Sequence, residues 1–274
     1  MNYYKMRLMI PEPVKNVIRE LSYLPMFSDW SSAVSYYRIN HAIPNKALPP
    51  AIDLRIRQLK HHPIRIRAHS TDARVVFSTF VHRFHLPPKG MIPDSPALIL
   101  DLGSNIGCTI AHLACLYPQA SVVGVELDAG NAGLCRRNIS PWKDRCQVIE
   151  RAIWAEDGEV RYERREGCED RFAAGAELPE KGDLHTAKAI SLNALMAEVC
   201  SPGQVVDYVK MDIEGAEREV LRRNTEWAAR VRSIKIELHG HYSKEDCIGD
   251  LRRLGFRAWA DNNHALCVVG VRNL

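Results

Sequence analysis

The sequence predicts an α/β fold: a mostly parallel sheet with an antiparallel last strand and helices on both faces. From Ala97 onward, short apolar segments alternate with segments of helical period, which is typical of strands joined by crossover helices. Most of these short segments are apolar throughout, as expected for strands buried on both faces. The last two flank an Asn262-Asn263 turn, which predicts an antiparallel closing pair.

The predicted elements follow one another in a regular order. The strands cover residues 97–102, 121–127, 146–153, 158–164, 205–213, 233–240, 257–261 and 265–271. The helices cover residues 105–117, 129–139, 215–224 and 244–255, and residues 190–199 hold a short strand and a helix. Residues 164–187 are polar and show no period, so we expect a long loop there.

The N-terminal part is less regular. Apolar residues at helical spacing predict a helix over residues 14–24, and alternating apolar and basic residues predict a strand over 64–67. The Ser-Thr-Asp stretch at 70–72 can cap a helix over 73–85, because short polar side chains accept hydrogen bonds from the free amides at a helix start. We expect the aromatic residues within 30–37 to pack in the core.

Length and composition set broad limits. The chain has 274 residues, and we assign residues 1–90 to an N-terminal helical extension or cap and residues 91–274 to the main domain. The net charge of +4 is mild, so we expect no nucleic-acid partner. The 8 cysteines form no C-x-x-C pair, which favours reduced thiols in a cytoplasmic protein. No apolar run reaches the ~20 residues of a membrane span. The oligomeric state cannot be read from the sequence.

An acid and two glycines follow the first strand of the main domain. Asp101, Gly103, Asn105 and Gly107 have the spacing D-x-G-x-N-x-G, at the strand end where open α/β sheets bind ligands. Glycines allow a sharp turn and a close approach of the backbone to a ligand. The dinucleotide fingerprint is G-x-G-x-x-G, and it places a pyrophosphate where Asp101 adds negative charge. The acid therefore favours a ligand with a cationic ammonium, such as S-adenosylmethionine, over the dinucleotide of an oxidoreductase.

The next two strand ends predict where a nucleoside would lie. Glu126 ends the second strand, and an acid there can accept hydrogen bonds from both hydroxyls of a ribose. Ala152 and Ile153, after the third strand, are where an adenine ring would lie against an apolar residue and backbone donors. Together with Asp101, these residues predict an adenosine-containing cofactor.

Four stretches of the chain resemble the FkbM family of class I S-adenosylmethionine-dependent methyltransferases. They are STDARVVFSTF at 70–80, LILDLGSNIG at 98–107, VKMDIEGAE at 209–217 and IKIELHG at 234–240. The stretch DIEGAE is the most discriminating of them. The resemblance implies a Rossmann-like domain, S-adenosylmethionine as the cofactor, and methylation of a hydroxyl on a sugar, a glycolipid or a polyketide-type molecule.

The resemblance also implies roles for individual residues. The methionine part of the cofactor would be held by Asp101, Gly103, Ser104, Asn105 and Gly107. Glu126 would hold the ribose, Asp212 would face the methyl donor, and Thr71 and Asp72 would close over the cofactor.

Candidate catalytic groups lie at two neighbouring strand ends. A hydroxyl is a weak nucleophile at neutral pH, so a general base is expected. His239 is our preferred base, with Asp212 or Glu237 to orient it and Glu214 as a further candidate. Alternatively, Asp212, Glu237 and His239 could hold Mg²⁺, which prefers oxygen ligands. We expect Glu217 to be solvated or ion-paired.

A nucleic-acid methyltransferase, acting on RNA, is the alternative function. The stretch RIRQLKHHPIRIR at 55–67 is the most basic part of the chain and could follow a phosphate backbone. Against this alternative, residues 212–215 read DIEG and lack the N/D-P-P-aromatic turn of enzymes that methylate exocyclic amines. A small-molecule or glycan acceptor is therefore our preferred partner.

Overall fold

The structure of the protein is a computed structural model that describes residues 22–40, 48–60, 62–163, 173–174 and 184–272. The predicted helix over 14–24 lies mostly outside the described residues, and so does most of the 164–187 segment. Within the described ranges, none of the helices has the length and apolar character needed to cross a bilayer.

A seven-stranded sheet carries the fold, with the order β12-β13-β11-β10-β3-β4-β5. Its strands are β3 (Leu98–Leu102), β4 (Ser121–Glu126), β5 (Cys146–Glu150), β10 (Tyr208–Met211), β11 (Ser233–Glu237), β12 (Arg257–Ala260) and β13 (Cys267–Val271). All neighbours from β11 to β5 are parallel, and β13 is antiparallel to both β11 and β12. The predicted α/β class, with its mostly parallel sheet and antiparallel closing pair, is confirmed.

The other elements flank this sheet. The remaining strands are β1 (Ala51–Arg55), β2 (Pro63–Arg67), β6 (Ala152–Ile153), β7 (Gly158–Glu163), β8 (Ala173–Ala174) and β9 (Leu184–Ile190). The helices are α1 (Trp30–Asn40), α2 (Asp72–Phe77), α3 (Cys108–Leu116), α4 (Ala129–Ile139), α5 (Leu192–Val199), α6 (Glu217–Arg222) and α7 (Lys244–Arg253). Short polar residues start three of them: Asp128, Ser191 and Ser243 each accept a hydrogen bond from an amide in the first turn.

The sheet is covered on both faces. Helices α5, α6 and α7 contribute to one apolar cluster with the strands, and α3 and α4 contribute to another. A third cluster joins the N-terminal elements to α3 through Ile106, Cys108 and Ala111. The division of the chain near residue 90 stays a prediction, but the N-terminal elements share a core with the main domain.

Three boundaries differ from the prediction. The expected single strand over 146–153 is two strands: the Arg151 amide makes the last bond to β4, at the Glu126 carbonyl, and also donates to the Ile149 carbonyl in a tight turn, after which β6 pairs with β9 in a separate four-stranded sheet. Because β9 begins at Leu184, the expected loop over 164–187 ends earlier. The helix expected over 73–85 ends at His82, in a π-helical turn, because Arg83 takes a left-handed φ of 58°.

The N-terminal part was expected to be a helical extension, but it also contains strands. β1 and β2 form an antiparallel hairpin in which Ala51 lies opposite Arg67. We call residues 22–82 of the described chain the cap. Tyr36 packs in its core as predicted, whereas Trp30 and Tyr37 of the same helix are exposed.

A buried histidine pair joins helix α3 to the segment that follows the cap. Nε2 of His85 is 3.0 Å from Nδ1 of His112, and both side chains are buried. Burial lowers the pKa of His112 to about 4, with a contribution from the Arg83 charge. Burial also lowers the pKa of His85, as do the charges of His112, Lys210 and Lys235.

We expect this pair to make the fold sensitive to acid. Histidines of the unfolded chain have a pKa of about 6.5, so between about pH 6.5 and 4 they bind protons that the folded pair does not bind. The free energy of unfolding should therefore fall as the pH drops through this range. Urea unfolding at a series of pH values measures it. His112→Asn should flatten the slope, and the exposed His69→Asn should not. An unchanged slope in His112→Asn would contradict the assignment.

Candidate active site

The site lies where the order of the strands reverses. The chain runs outward from β3 to β5 and then returns to β10 and β11 on the other side of β3, so the carboxyl ends of β3 and β10 form a switch point. Asp212 follows β10, and its amide donates to the Leu102 carbonyl. This places Asp212 beside the loop that follows Asp101.

The two glycines of that loop are needed for packing. Gly103 has a φ of +79°, and a Cβ atom there would lie 1.8 Å from the Asp212 carbonyl oxygen. Gly107 has a φ of +84°, and its Cβ would lie 2.8 Å from Sγ of Cys135. The sequence suggested that these glycines make room for a ligand. In the structure, the room is taken by the backbone of Asp212 and by helix α4.

The loop is closed by its own hydrogen bonds. The amides of Gly103 and Ser104 both donate to the Val125 carbonyl, and Ser104 Oγ donates to the Asp101 carbonyl at 2.7 Å. Asn105 has a left-handed φ of 48°, which is uncommon for a residue with a side chain and is often found at functional sites. The loop is therefore rigid before any ligand arrives.

Lys210 supplies a cation between the two acids. It lies opposite Asp101 in the register of β10 and β3. Its Nζ is 3.5 Å from Oδ1 of Asp101 and 3.2 Å from Oδ2 of Asp212, and it donates to the Gly103 carbonyl at 2.9 Å. Asp101 is fully buried, so the cation that it faces in this structure is Lys210. Direct contact of Asp101 with the ammonium of a ligand stays a prediction.

The pKa values follow from this arrangement. Burial raises the pKa of Asp101 to about 6, although the Lys210 charge opposes the rise. Burial disfavours a charged Lys210, but Asp212 and Asp101 outweigh it and raise its pKa. The pKa of Asp212 is lowered because Lys210 and His239 outweigh the effect of burial. Lys210 and Asp212 therefore carry opposite charges at neutral pH.

Glu126 joins the loop to the start of α4. Its Oε2 accepts from the Asn105 amide at 2.8 Å, and its Oε1 accepts from the Asp128 amide at 2.9 Å. Burial raises its pKa to about 7, against the effect of these two hydrogen bonds. Ala152 and Ile153 are buried in β6, which begins two residues after β5 ends. Glu126 and these two residues thus follow the neighbouring strands β4 and β5.

Asp72 has a structural partner. It is buried, its Oδ2 accepts from the backbone amide of Arg67 at 2.8 Å, and its Oδ1 binds the Arg67 guanidinium at 2.7 Å. The Arg67 guanidinium also donates to Oδ1 of Asn131 in α4. Thr71 precedes α2, and its carbonyl accepts the Arg74 amide. Closure of Thr71 and Asp72 over a cofactor stays a prediction, and the contacts of Asp72 show it bracing Arg67.

A buried asparagine ties the cap to the loop. Asn138 accepts from the amide of Arg65 at 2.8 Å and donates to its carbonyl at 3.0 Å, so it pairs with strand β2 as another strand would. The same Nδ2 donates to the carbonyl of Ile106 at 2.8 Å. Asn138 and Asn131 thus link the cap, helix α4 and the loop.

A histidine held by a buried acid faces Asp212. Nδ1 of His239 is 2.8 Å from Oε1 of Glu217, whose side chain is fully buried. Glu217 also accepts the amide of Gly215 at 3.0 Å, so it is fixed by its own helix start. Nε2 of His239 points away from it, 3.6 Å from Asp212 and 3.5 Å from Glu214. The partner that orients His239 is therefore Glu217, and not Asp212 or Glu237 as the sequence suggested.

Three carboxylates control the charge of His239. Burial favours the neutral ring, but the hydrogen bond to Glu217 and the charges of Asp212 and Glu214 outweigh it and raise the pKa to about 9. Glu214 lies in a strained loop, with a left-handed φ of 54°. Burial, together with the Asp212 charge, raises the pKa of Glu237 to about 7. His239 and Glu237 thus join Asp101 and Glu126 among the groups of the site whose pKa is raised.

Lys210 and the contact of Glu217 with His239 were not predicted from the sequence. A lysine inside the apolar segment VVDYVKMDI was the available signal for Lys210, because a charge in a doubly covered strand needs a partner. Glu217 gave no such signal, since acids are common in the first turn of a helix. Glu217 is ion-paired, as one of the two expected outcomes, but it is not solvated.

Comparison with known families places the chain. A family model described as Methyltransferase FkbM domain matches residues 101–258, which is more than half of the chain.

The chain belongs to the FkbM methyltransferase family.

Individual relatives of this FkbM methyltransferase are distant. It is 26% identical over 167 residues to the 2-O-methyltransferase NoeI of Sinorhizobium fredii, a match that covers 57% of this chain and 68% of NoeI. Aeropyrum pernix fibrillarin in complex with S-adenosyl-L-methionine has a TM-score of 0.43 and 12% identity, and covers 84% of this chain and 86% of fibrillarin. A precorrin-6y C5,15-methyltransferase from Geobacter metallireducens has a TM-score of 0.40 and 11% identity, and covers 66% and 82%. No functional conclusion rests on these two structural likenesses.

The site of this FkbM methyltransferase fits Mg²⁺ poorly. Possible ligand atoms of Asp212, Glu214 and His239 lie within 4.8 Å of one another, whereas Glu237 groups with His264 and Cys267. The three Mg²⁺ ligands expected from the sequence, Asp212, Glu237 and His239, are thus divided between two clusters of possible ligands. In the first group, Lys210 already neutralises Asp212, and a protonated His239 would repel a cation. We therefore derive no step through a metal.

The buried ion group should make a large contribution to stability. We expect Lys210→Met to lower the free energy of unfolding by about 3–5 kcal/mol, because it leaves Asp101 and Asp212 without their cation. Chemical denaturation measures the change. The exposed pair Arg136–Glu150 provides a control, since Arg136→Met should cost less than about 1 kcal/mol. Adding Asp101→Asn to Lys210→Met should recover part of the loss, and fully additive losses would show that the two side chains do not interact.

Proposed function

We propose that this methyltransferase uses S-adenosylmethionine to methylate a hydroxyl group on a sugar, a glycolipid or a polyketide-type small molecule. The observation that carries the proposal is the pair His239–Glu217, which presents a ring nitrogen beside Asp212 at the carboxyl edge of the sheet. A base held in this way suits an acceptor that must lose a proton. The 2-O-methyltransferase activity in the name of NoeI agrees with a hydroxyl acceptor.

In this proposal the cofactor lies across the ends of β3, β4 and β5. Each oxygen of Glu126 accepts one amide and keeps a second lone pair, which can accept a ribose hydroxyl. Ala152 and Ile153 form the apolar side of the adenine site. The backbone of the loop from Gly103 to Gly107 holds the methionine part, and Asp101 acts on it through Lys210.

The reaction needs one displacement and one proton transfer. S-adenosylmethionine would supply an electrophilic methyl group on a sulfonium: the acceptor oxygen would form the new C–O bond in line with the sulfur, which would keep the electron pair of the broken C–S bond as a neutral thioether. The proton of the hydroxyl passes to Nε2 of His239, and Glu217 stabilises the resulting imidazolium through Nδ1.

The charge balance of the site supports this use of His239. With a pKa of about 9, His239 is protonated at neutral pH in the cofactor-free protein and cannot accept a proton. A sulfonium placed beside Asp212 and Glu214 would offset their charges, which are what raise this pKa. Binding of the cationic cofactor thus lowers the pKa of the base. Glu237, with a pKa of about 7, is the second candidate base.

The RNA alternative loses its main support. Of the basic stretch, Arg57 donates to the carbonyl of Phe27, Arg65 pairs with Asp53, and Arg67 pairs with Asp72. These side chains hold the cap together instead of forming an open track for phosphates. No second function is therefore proposed.

The proposal is tested by incubating the protein with methyl-labelled S-adenosylmethionine and extracts of glycans and polyketides. Mass spectrometry should detect a product heavier by one labelled methyl group. Titration should show binding of S-adenosylmethionine and none of NADH. The reverse binding preference, or label found only in added RNA, would refute the proposal.

We expect the pH profile to identify the base. His239→Ala should lower kcat by about 10²- to 10⁴-fold, as for the loss of a general base, and leave S-adenosylmethionine binding intact. The wild-type kcat/KM for S-adenosylmethionine should rise with pH up to about 9, because the cofactor-free protein must lose the His239 proton. The exposed neighbour His241→Ala is the matched control and should behave like the wild type. A limb near pH 7 that survives in His239→Ala would assign the base to Glu237.

Methyl transfer should not depend on a divalent cation. Lys210 and His239 already lie beside Asp212, the carboxylate that an ion would need as a ligand. Excess chelator should therefore leave the rate unchanged. The rate is measured with and without EDTA, and then with added Mg²⁺. Loss of activity with EDTA and its recovery with Mg²⁺ would contradict our reading of the site.

A further inference from the structure

The charge of the chain is strongly divided. Residues 1–90 carry 14 Lys or Arg and 5 Asp or Glu, a net charge of +9, whereas residues 91–274 carry 23 and 28, a net charge of −5. The mild overall charge of +4 hides this division. Such asymmetry is typical of chains that meet a polyanionic surface through one part.

Helix α1 of the cap has an apolar outer face. Trp30, Val34 and Tyr37 lie at positions i, i+4 and i+7 and are 76%, 52% and 49% exposed. The opposite face buries Ala33, Tyr36 and Ile39 in the cap core, so the helix is apolar on two sides. These three residues, which we call the outer stripe, are most of the large exposed apolar side chains in the described part of the chain.

Arginines flank the outer stripe. Arg38 follows Tyr37 and is exposed. Arg74 is exposed but lies on the other side of α1, because it follows Ala73, whose carbonyl accepts the hydroxyl of the buried Tyr36. Arg55 is 62% exposed and lies 4.0 Å from Asp29, at the start of the helix. Asp29 is the acid at this end, and it also accepts from the amide of Ser32.

We propose that the outer stripe docks the protein on an anionic membrane surface. Trp and Tyr favour the boundary between headgroups and acyl chains, and arginines beside them attract anionic lipids. A second copy of the chain fits less well, because a symmetric contact would bring the same arginines together. Single-stranded RNA could stack on Trp30 and Tyr37 but gains little from the aliphatic Val34 between them. This inference does not depend on the identity of the methyl acceptor.

Co-sedimentation of the full chain with phosphatidylcholine vesicles, with and without phosphatidylglycerol, tests the proposal. We expect binding to the anionic vesicles, weakened by salt, and little binding to the neutral ones. Arg38→Gln and Arg55→Gln should each weaken binding about fivefold. Trp30→Ser and Tyr37→Ser should weaken it at least as much, while S-adenosylmethionine binding stays as in the wild type.

Matched controls lie elsewhere on the surface. Leu266 is 54% exposed, and Leu266→Ser should bind vesicles like the wild type, as should the exposed Arg137→Gln. Vesicles with brominated acyl chains should quench tryptophan fluorescence in the wild type but much less in Trp30→Ser, which tests insertion directly.

Four outcomes would overturn the proposal: no binding to anionic vesicles, equal losses in Leu266→Ser and Trp30→Ser, tighter binding to a single-stranded RNA that depends on the same arginines, or a dimer that Trp30→Ser dissociates.

Discussion

The whole site depends on one buried cation. Lys210 is held between Asp101 and Asp212 and also binds the carbonyl of Gly103. It therefore joins the ends of β3 and β10, the two strands at which the strand order of the sheet reverses. Without it, two carboxylates would face each other in a poorly hydrated pocket, which is strongly unfavourable. With it, the loop after β3 and the backbone of Asp212 can pack closely enough to require glycine at position 103.

The balance of charges also determines the protonation state of His239. Asp212, Glu214 and Glu217 surround a single histidine, and their combined effect keeps it protonated until another positive charge arrives. A sulfonium cofactor brings such a charge and loses it when the methyl group is transferred. In the proposed reaction, the ring would therefore be deprotonated and able to accept a proton only while the cofactor is bound.

Most of the sheet could be predicted from the sequence because parallel strands covered on both faces are apolar runs, and these runs alternate with helices. The errors have physical reasons. The segment 146–153 is continuous in pattern, but the chain turns at Arg151, whose amide donates back to the Ile149 carbonyl, and the residues after it join another sheet. Side-chain partners were harder to predict: His239 was proposed as a base from its chemistry, but its contact with Glu217 depends on burial, which an acid in a helix start does not reveal.

The cap has an inner side that packs on the main domain and an outer side that faces solvent. Its inner side is bound through Asn138 and Arg67 to the helix that follows Glu126, so cap residues outside the family match support the loop from Gly103 to Gly107. Its outer side presents Trp30 and Tyr37 among arginines. A force that moved α1 could reach the loop through β2, since Asn138 pairs with the backbone of Arg65 and with Ile106 at once, and through the apolar cluster that the cap shares with Ile106 and α3. If the outer side binds a membrane, the rigid pairing at Asn138 would therefore present the methyl-transfer site in a fixed orientation to acceptors near that surface.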